Sequence, residues 1–282
     1  MIYMEIERKK NMKQIEGGVT AAKGFQASGV EVGIKAGHAG KKDMAMIYSE
    51  TSCKTAGTFT SNIVKAAPVK YDMEIVKNSS GVHAVVVNSG IANACTGEEG
   101  MKNCKIIAGE TAGVLNIPAD SVLIGSTGVI GAQLPMDTIK KGIHLLAGQL
   151  GSKPEYALSA AQAIMTTDTI PKQIAYETVI GGRTVTVGGM CKGSGMIHPN
   201  MCTMLAFITT DINISKEMLT EIVKEDVKDT FNMISVDGDT STNDTMLVLA
   251  NGLAGNPEIT EKNEDYYKFA KVLKEVNTYL AK

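Results

Sequence analysis

The sequence has no tryptophan and only four histidines in 282 residues, and no apolar run approaches the length of a membrane span. A transmembrane segment is therefore not expected. Basic residues are not in excess either. Lys and Arg number 28 against 30 Asp and Glu, a formal charge of −2, so the clustered positive surface of a nucleic-acid binder is missing. The run Arg8-Lys9-Lys10 sits close to Glu5 and Glu7 with no apolar core beside it, and does not read as a secretory signal. Cysteine is sparse and irregularly spaced: Cys53, Cys95, Cys104, Cys191 and Cys202. An odd set without an export signal suits reduced thiols in a cytoplasmic protein, most of them small buried residues. So few histidines and no paired ligands at short spacing leave no zinc site to expect, and no metal is assigned.

Apolar content is ordinary at 44%, and 282 residues suffice for one large α/β domain or two smaller ones. Short β-branched runs bounded by glycine and polar clusters predict strands over 44–48, 82–87, 122–125, 184–187, 204–209 and 246–250. Gly181-Gly182 between the runs 173–180 and 183–187 predicts a tight hairpin. Met218, Leu219, Ile222, Val223, Val227 and Phe231 fall on one face of a helix with Ser215 as its N-cap. Phe269, Val272, Leu273, Val276 and Leu280 repeat that spacing near residue 282. Alternating strands and helices give the α/β class.

Glycine-rich stretches do not make phosphate loops. Gly40-Lys41 is followed by Lys42 rather than Ser or Thr, and Gly193-Ser194-Gly195 lacks the third glycine of a dinucleotide fingerprint. The acidic cluster Asp237, Asp239 and Asp244 lacks the spacing of a calcium loop, and reads as a hydrogen-bonded loop near a site.

The most informative stretch is Lys192-Gly-Ser-Gly-Met-Ile-His-Pro-Asn-Met-Cys-Thr-Met-Leu205. It sets a glycine-rich polar run against a strand-like apolar run, with Cys202 and then Thr203 at the junction. A break at Cys202–Thr203 would give Thr203 a hydroxyl nucleophile and a free α-amine to serve as its base. That amine has an ordinary pKa of about 7.7–8.0, so a useful fraction is neutral near pH 7. From the residues alone, a glycine-rich turn entering a buried strand is the favoured reading, since short motifs often match without the chemistry.

This run resembles the cleavage-site signature of the ornithine acetyltransferase family, the bifunctional glutamate N-acetyltransferases of arginine biosynthesis. Further blocks resemble the family in its order: Gly17-Gly-Val-Thr-Ala-Ala-Lys-Gly-Phe25, Lys65-Ala-Ala-Pro-Val69 and Asn88-Ser-Gly-Ile-Ala-Asn-Ala-Cys-Thr-Gly97. So do Gly125-Ser-Thr-Gly-Val-Ile-Gly131, Met165-Thr-Thr-Asp-Thr169 and Asp237-Gly-Asp-Thr-Ser-Thr-Asn-Asp244. The resemblance implies a layered α/β sandwich of the type shared with self-processing aminopeptidases. It implies self-cleavage into residues 1–202 and 203–282, the pieces staying in one fold and pairing as a dimer of pairs, a heterotetramer.

The implied activity is transfer of the acetyl group of N2-acetylornithine to glutamate through an acetyl-Thr203 intermediate. Thr127 and Gly128 would form the oxyanion hole, and Thr166, Lys192 and Thr203 would contact the amino-acid substrate. No resident cofactor is implied. Acetyl-CoA is a second donor for some members, and no residue here decides that point. The residue before the cut is commonly alanine in the family and is Cys202 here, while Ile91 replaces a polar residue. Members also continue past residue 282, so a truncated member is expected. Two alternatives stay open: an aminopeptidase or amidohydrolase on the same scaffold, and an inactive fragment.

Overall fold

The computed structural model describes residues 12–35, 37, 40–193, 204–233 and 241–282. Cys202, Thr203, Asp237 and Asp239 lie outside the described residues.

Among the described residues the strands are β1 (Met12–Ile15), β2 (Phe25–Val30), β3 (Met44–Phe59), β4 (Val82–Ile91), β5 (Val122–Val129), β6 (Lys172–Ile180), β7 (Arg183–Lys192), β8 (Leu205–Thr210) and β9 (Thr245–Ala250). The helices are α1 (Ala67–Asn78), α2 (Gly97–Leu115), α3 (Met136–Gly148), α4 (Pro154–Ile164), α5 (Lys216–Asp226) and α6 (Glu264–Ala281). Strand order is β1-β6-β7-β8-β9-β3-β4-β5, with β2 added to β3.

The long β3 makes two half-sheets from one. Met44–Tyr48 pairs antiparallel with β2 and β4, the register breaks between Tyr48 and Cys53, and Lys54–Phe59 pairs antiparallel with β9. Such a break bends a strand, and here it lets the two halves face each other. Alternation then sorts the side chains into layers. Leu205 and Phe207 of β8 enter the inner core with Val85, Val87 and Leu123, while Ala206 and Ile208 face the outer core beneath α5 and α6. Ala84, Val86, Val122 and Ile124 point the other way, onto α1, α2 and α3. The result is a helix–sheet–sheet–helix sandwich, the layered class expected.

Helix α4 lies between the sheets rather than outside them. Ala157, Ala160, Ala161 and Ala163 are fully buried there, and at Gly29 an added Cβ would stand 2.2 Å from the Ser159 carbonyl oxygen. Only small residues allow that approach. Opposite it, Gly125 leaves room for Phe207, whose Cζ would lie 3.1 Å from a Cβ at that position.

Most sequence expectations hold, with differences at the ends of elements. Gly181 and Gly182 both have positive φ, 57° and 73°, as a two-residue hairpin turn requires. Ser215 caps α5, its Oγ accepting from the Met218 N–H at 3.2 Å. That helix stops at Asp226, shorter than its apolar stripe. Val227 and Phe231 still reach the core, but from short 3-10 turns.

Two predictions follow from packing and burial. Gly128 has φ 132°, and a Cβ there would stand 2.2 Å from the carbonyl carbon of Gly90 on β4. Both the backbone conformation and the space refuse a side chain, so Gly128→Ala should lose at least ~2 kcal/mol in urea unfolding. An unchanged urea midpoint would contradict this. Asp226 is buried at the end of α5, where its Oδ2 accepts from Asn277 of α6 at 2.5 Å and from Thr230 at 3.3 Å. Burial pushes its pKa up to about 6, with those two bonds opposing. The folded carboxyl thus keeps a proton that the unfolded one releases near the ordinary value of 3.8. Stability should fall as pH rises from about 4 to about 6. Asp226→Asn should flatten that part of the melting-temperature profile, and an unchanged slope would assign it elsewhere.

Candidate active site

Several of the residues singled out in the sequence meet at one end of the sandwich. Lys192 ends β7, directly opposite Leu205 at the start of β8 in the antiparallel register. Its side chain shares the inner face with Met190 and is buried, 3% exposed. Its ammonium donates to Thr166 Oγ1 at 3.0 Å, just after α4. Burial lowers the Lys192 pKa, while Asp168, Cys191 and Asp244 oppose that and Lys172 adds to it. Thr166 itself is exposed, so the lysine's hydroxyl partner faces open space.

Asp168 organises this corner. It accepts from the Thr166 N–H at 3.2 Å and from the Gly193 N–H at 2.7 Å. Lys172 Nζ stands 4.0 Å from its Oδ1 and donates to the Gly193 carbonyl at 2.6 Å. Both backbone groups of Gly193, the last described residue before 194–203, are therefore held.

The far side of that segment is held in the same manner. The Met204 N–H donates to Asp244 Oδ1 at 2.9 Å, and the Met204 carbonyl accepts from the Thr245 N–H at 3.0 Å. Asp244 is fully buried, and burial pushes its pKa up to about 8 against the Met204 N–H, the Ser241 hydroxyl and Lys192. The loop after β3 fixes this carboxyl in turn. Thr60 donates from its N–H to the Asp244 carbonyl at 2.9 Å and from its hydroxyl to the Ser241 carbonyl at 2.7 Å.

Thr127 and Gly128 end β5 on the other half-sheet. Thr127 is buried, and Leu123, Gly125 and Thr127 alternate onto the inner face toward β8. Thr127 pairs in register with Ser89 and Gly128 with Gly90. The Ser89 hydroxyl donates to the Ala163 carbonyl at 2.5 Å, which ties this strand end to the α4 terminus that carries Thr166. Gly128 is exposed at the strand's edge.

Sequence reasoning assigned no role to Asp168, Lys172 or Lys35. Lys35 lies in the loop anchored by Asp43, whose carboxyl accepts from the N–H groups of Val32, Gly33, Ile34 and Lys35. Burial first lowers its pKa, and Asp43, Lys41, Lys192 and Asp168 also act on it, so it borders the same corner. A lysine in a glycine-rich loop carries no signal of this. Asp168 stood within the block Met165–Thr169, where its backbone contacts were not legible. Among the described residues, no three His, Cys, Asp or Glu side chains gather as a metal site needs. A separate groove of about 640 Å³, lined by Gln14, Leu158, Gln173 and Tyr279 among others, contains none of these residues.

Residues 26–282 match the ArgJ family. The chain is 53% identical over 260 residues to the arginine biosynthesis bifunctional protein ArgJ of Thermotoga neapolitana, covering 92% of this chain and 64% of that protein. It thus spans about two thirds of the length of that curated relative. It is also similar to a solved structure of ornithine acetyltransferase from Mycobacterium tuberculosis, complexed with ornithine. Identity is 35%, the TM-score is 0.61, and the match covers 69% of this chain and 100% of that one. The L-aminopeptidase D-Ala-esterase/amidase of Ochrobactrum anthropi, described as a variant among the Ntn hydrolase fold, matches 95% of this chain and 87% of its own. Its TM-score is 0.56 at 10% identity, which shows the fold alone. By family and by fold together, the chain belongs to the ArgJ family.

Proposed function

We propose that this chain is part of a self-processed acetyltransferase of arginine biosynthesis, moving the acetyl group of N2-acetylornithine to glutamate. The observation that carries the reading is the buried Lys192 ammonium, held on the exposed Thr166 hydroxyl at 3.0 Å and paired in register with the strand that begins just after Thr203. A buried cation beside an open hydroxyl is suited to an amino-acid carboxylate, since burial strengthens the attraction. The M. tuberculosis relative, solved with ornithine, supports an ornithine-derived substrate.

In this mechanism Thr203 attacks the acetyl carbonyl and its α-amine takes the hydroxyl proton. The Thr127 hydroxyl and the Gly128 N–H receive the oxyanion. Ornithine leaves, glutamate enters, and its amine takes the acetyl group from Thr203. No resident cofactor is required, and acetyl-CoA would be a second substrate rather than a cofactor. Processing at Cys202–Thr203 supplies the amine. Lengths support that step: the solved M. tuberculosis chain is spanned completely by 69% of this one, while the Thermotoga protein is longer than this chain. Assembly as a dimer of cleaved pairs and a cytoplasmic location belong to the same reading. Free thiols at Cys53, Cys95, Cys104 and Cys191 suit the latter.

The test is product analysis by mass spectrometry with N2-acetylornithine, with and without glutamate. Glutamate-dependent N-acetylglutamate is expected, and Thr203→Ala should lower its formation at least ~10³-fold, as loss of a nucleophile does. Acetate released at the same rate without glutamate would indicate a hydrolase instead. Transfer by the Thr203→Ala chain at the unsubstituted rate would falsify the assignment.

A further inference from the structure

The hydroxyl that meets Lys192 sits on an exposed loop. Thr166, Thr167, Thr169 and Ile170, between α4 and β6, all face solvent, and such a segment does not by itself hold a side chain at one point. Asp168 is the exception in this run, because its side chain turns inward and is only 2% exposed. Its Oδ2 accepts from the Thr166 N–H at 3.2 Å, and its Oδ1 accepts from the Gly193 N–H at 2.7 Å. Gly193 follows Lys192 directly, and the Lys192 ammonium donates to Thr166 Oγ1 at 3.0 Å. Three hydrogen bonds therefore close a ring that runs from Thr166 through Asp168 and Gly193 to Lys192 and back. Asp168 makes two of the three. Lys172 of β6 braces the ring, its Nζ 4.0 Å from Asp168 Oδ1 and donating to the Gly193 carbonyl at 2.6 Å.

The same carboxylate supplies charge that the buried lysine needs. Burial works against the Lys192 proton, and Lys172 of β6 adds to that, while Asp168, Asp244 and Cys191 oppose it. Lys35, from the loop after β2, stands close enough to Lys192 for the two cations to repel. Burial pushes the Cys191 thiol up to about 12 and the Asp244 carboxyl up to about 8, so both are largely uncharged near neutral pH. Asp168 then supplies the negative charge beside Lys192. In so desolvated a corner that attraction is far stronger than it would be in water.

We propose that Asp168 is the positioning residue of the carboxylate pocket, holding Thr166 and the Lys192 ammonium together to receive the carboxylate of the amino-acid substrate. This deepens the reading of an acetyltransferase for N2-acetylornithine and glutamate, and rests on it. Asp168 has both oxygens engaged with Thr166 and Gly193, and acts on the substrate only through the pair those residues carry. N2-acetylornithine and glutamate each present an α-carboxylate, so loss of Asp168 should weaken both alike.

The test is calorimetric binding of ornithine, which cannot turn over alone, to the unsubstituted chain, Asp168→Asn, Lys192→Met and the double variant. Asparagine has nearly the shape of aspartate but carries no charge and one acceptor oxygen in place of two. Asp168→Asn should bind ornithine ~10- to 10²-fold more weakly, as loss of a charged hydrogen-bond partner does. Its affinity should also begin to fall at a lower pH than the parent's, since Lys192 gives up its proton sooner without the carboxylate. KM for N2-acetylornithine and for glutamate should rise in step while kcat hardly changes. In the Lys192→Met chain the same substitution should add far less, because Asp168 acts through that lysine. Parental affinity and pH dependence in a folded Asp168→Asn chain overturn the proposal, as do losses that simply multiply in the double variant. Melting temperature shows whether each chain is folded. Where Asp168→Asn is not, Asp168→Glu takes its place. It keeps the charge, so it should keep the parental pH dependence yet bind more weakly, and parental affinity there overturns the proposal. A folded parent that binds neither ornithine nor glutamate removes the carboxylate reading of the site, and this assignment with it.

Discussion

The strand Leu205–Thr210 is paired on both edges and packed on both faces, and the rest of the molecule is arranged around that insertion. It runs antiparallel to β7 and parallel to β9, and all six of its residues are buried. Leu205 and Phe207 fill the space between the half-sheets, while Ala206 and Ile208 meet the outer helices. Burial of Leu205, Phe207 and Ile208 alone contributes roughly 5–9 kcal/mol at about 1.5–3 kcal/mol for each large side chain. A chain cut immediately before this strand would keep its two pieces together, since their separation would expose both the core and two strand edges.

Around the start of that strand the fold accepts groups that a hydrophobic core would otherwise refuse. Lys192 and Asp244 are both buried, and each is shifted by burial toward its neutral form. The desolvation penalty for such groups is several kcal/mol each, and mutual attraction offsets only part of it. Their positions have a common logic. Asp168 and Lys172 hold both backbone groups of Gly193, and Asp244 and Thr245 hold both backbone groups of Met204. The chain is thus fixed on each side of residues 194–203 by charged and backbone groups from the two strand ends that flank it. Stability is given up locally to bury a lysine and a carboxyl at the two strand ends, next to Gly193 and Met204.

Much of this architecture was legible in the residues, for reasons that can be named. Short apolar runs with glycine at their ends located β4, β5, β7, β8 and β9, and the double glycine located the hairpin. Ser215 announced its helix by its own cap. The first strand, the second half of β3 and α4 were not legible. The second half of β3, Lys54–Phe59, mixes polar and small residues because it pairs with β9 across a bent register. The buried face of α4, Ala157, Ala160, Ala161 and Ile164, does recur at helical spacing, but it is built mostly of alanine, which gives little hydrophobic contrast in the sequence. At the site, Lys192 and Thr166 came from the family resemblance, and the structure adds the 3.0 Å contact between them. Asp168, Lys172 and Lys35 were silent because their roles are made by backbone groups distant in sequence. Asp244 was visible only as one acid in a cluster. Its bond to the Met204 N–H is one that no spacing encodes.

The central claim is that this fold is built to be cut before β8 and to stay whole afterwards. Mass measured on one sample under denaturing and then native conditions tests it most directly. The account predicts two polypeptides under denaturing conditions, the smaller beginning at Thr203, whose masses sum to that of the chain plus one water. The same sample should give a single particle containing both when kept native. One uncut mass under denaturing conditions, or fragments that separate in native buffer, would contradict it.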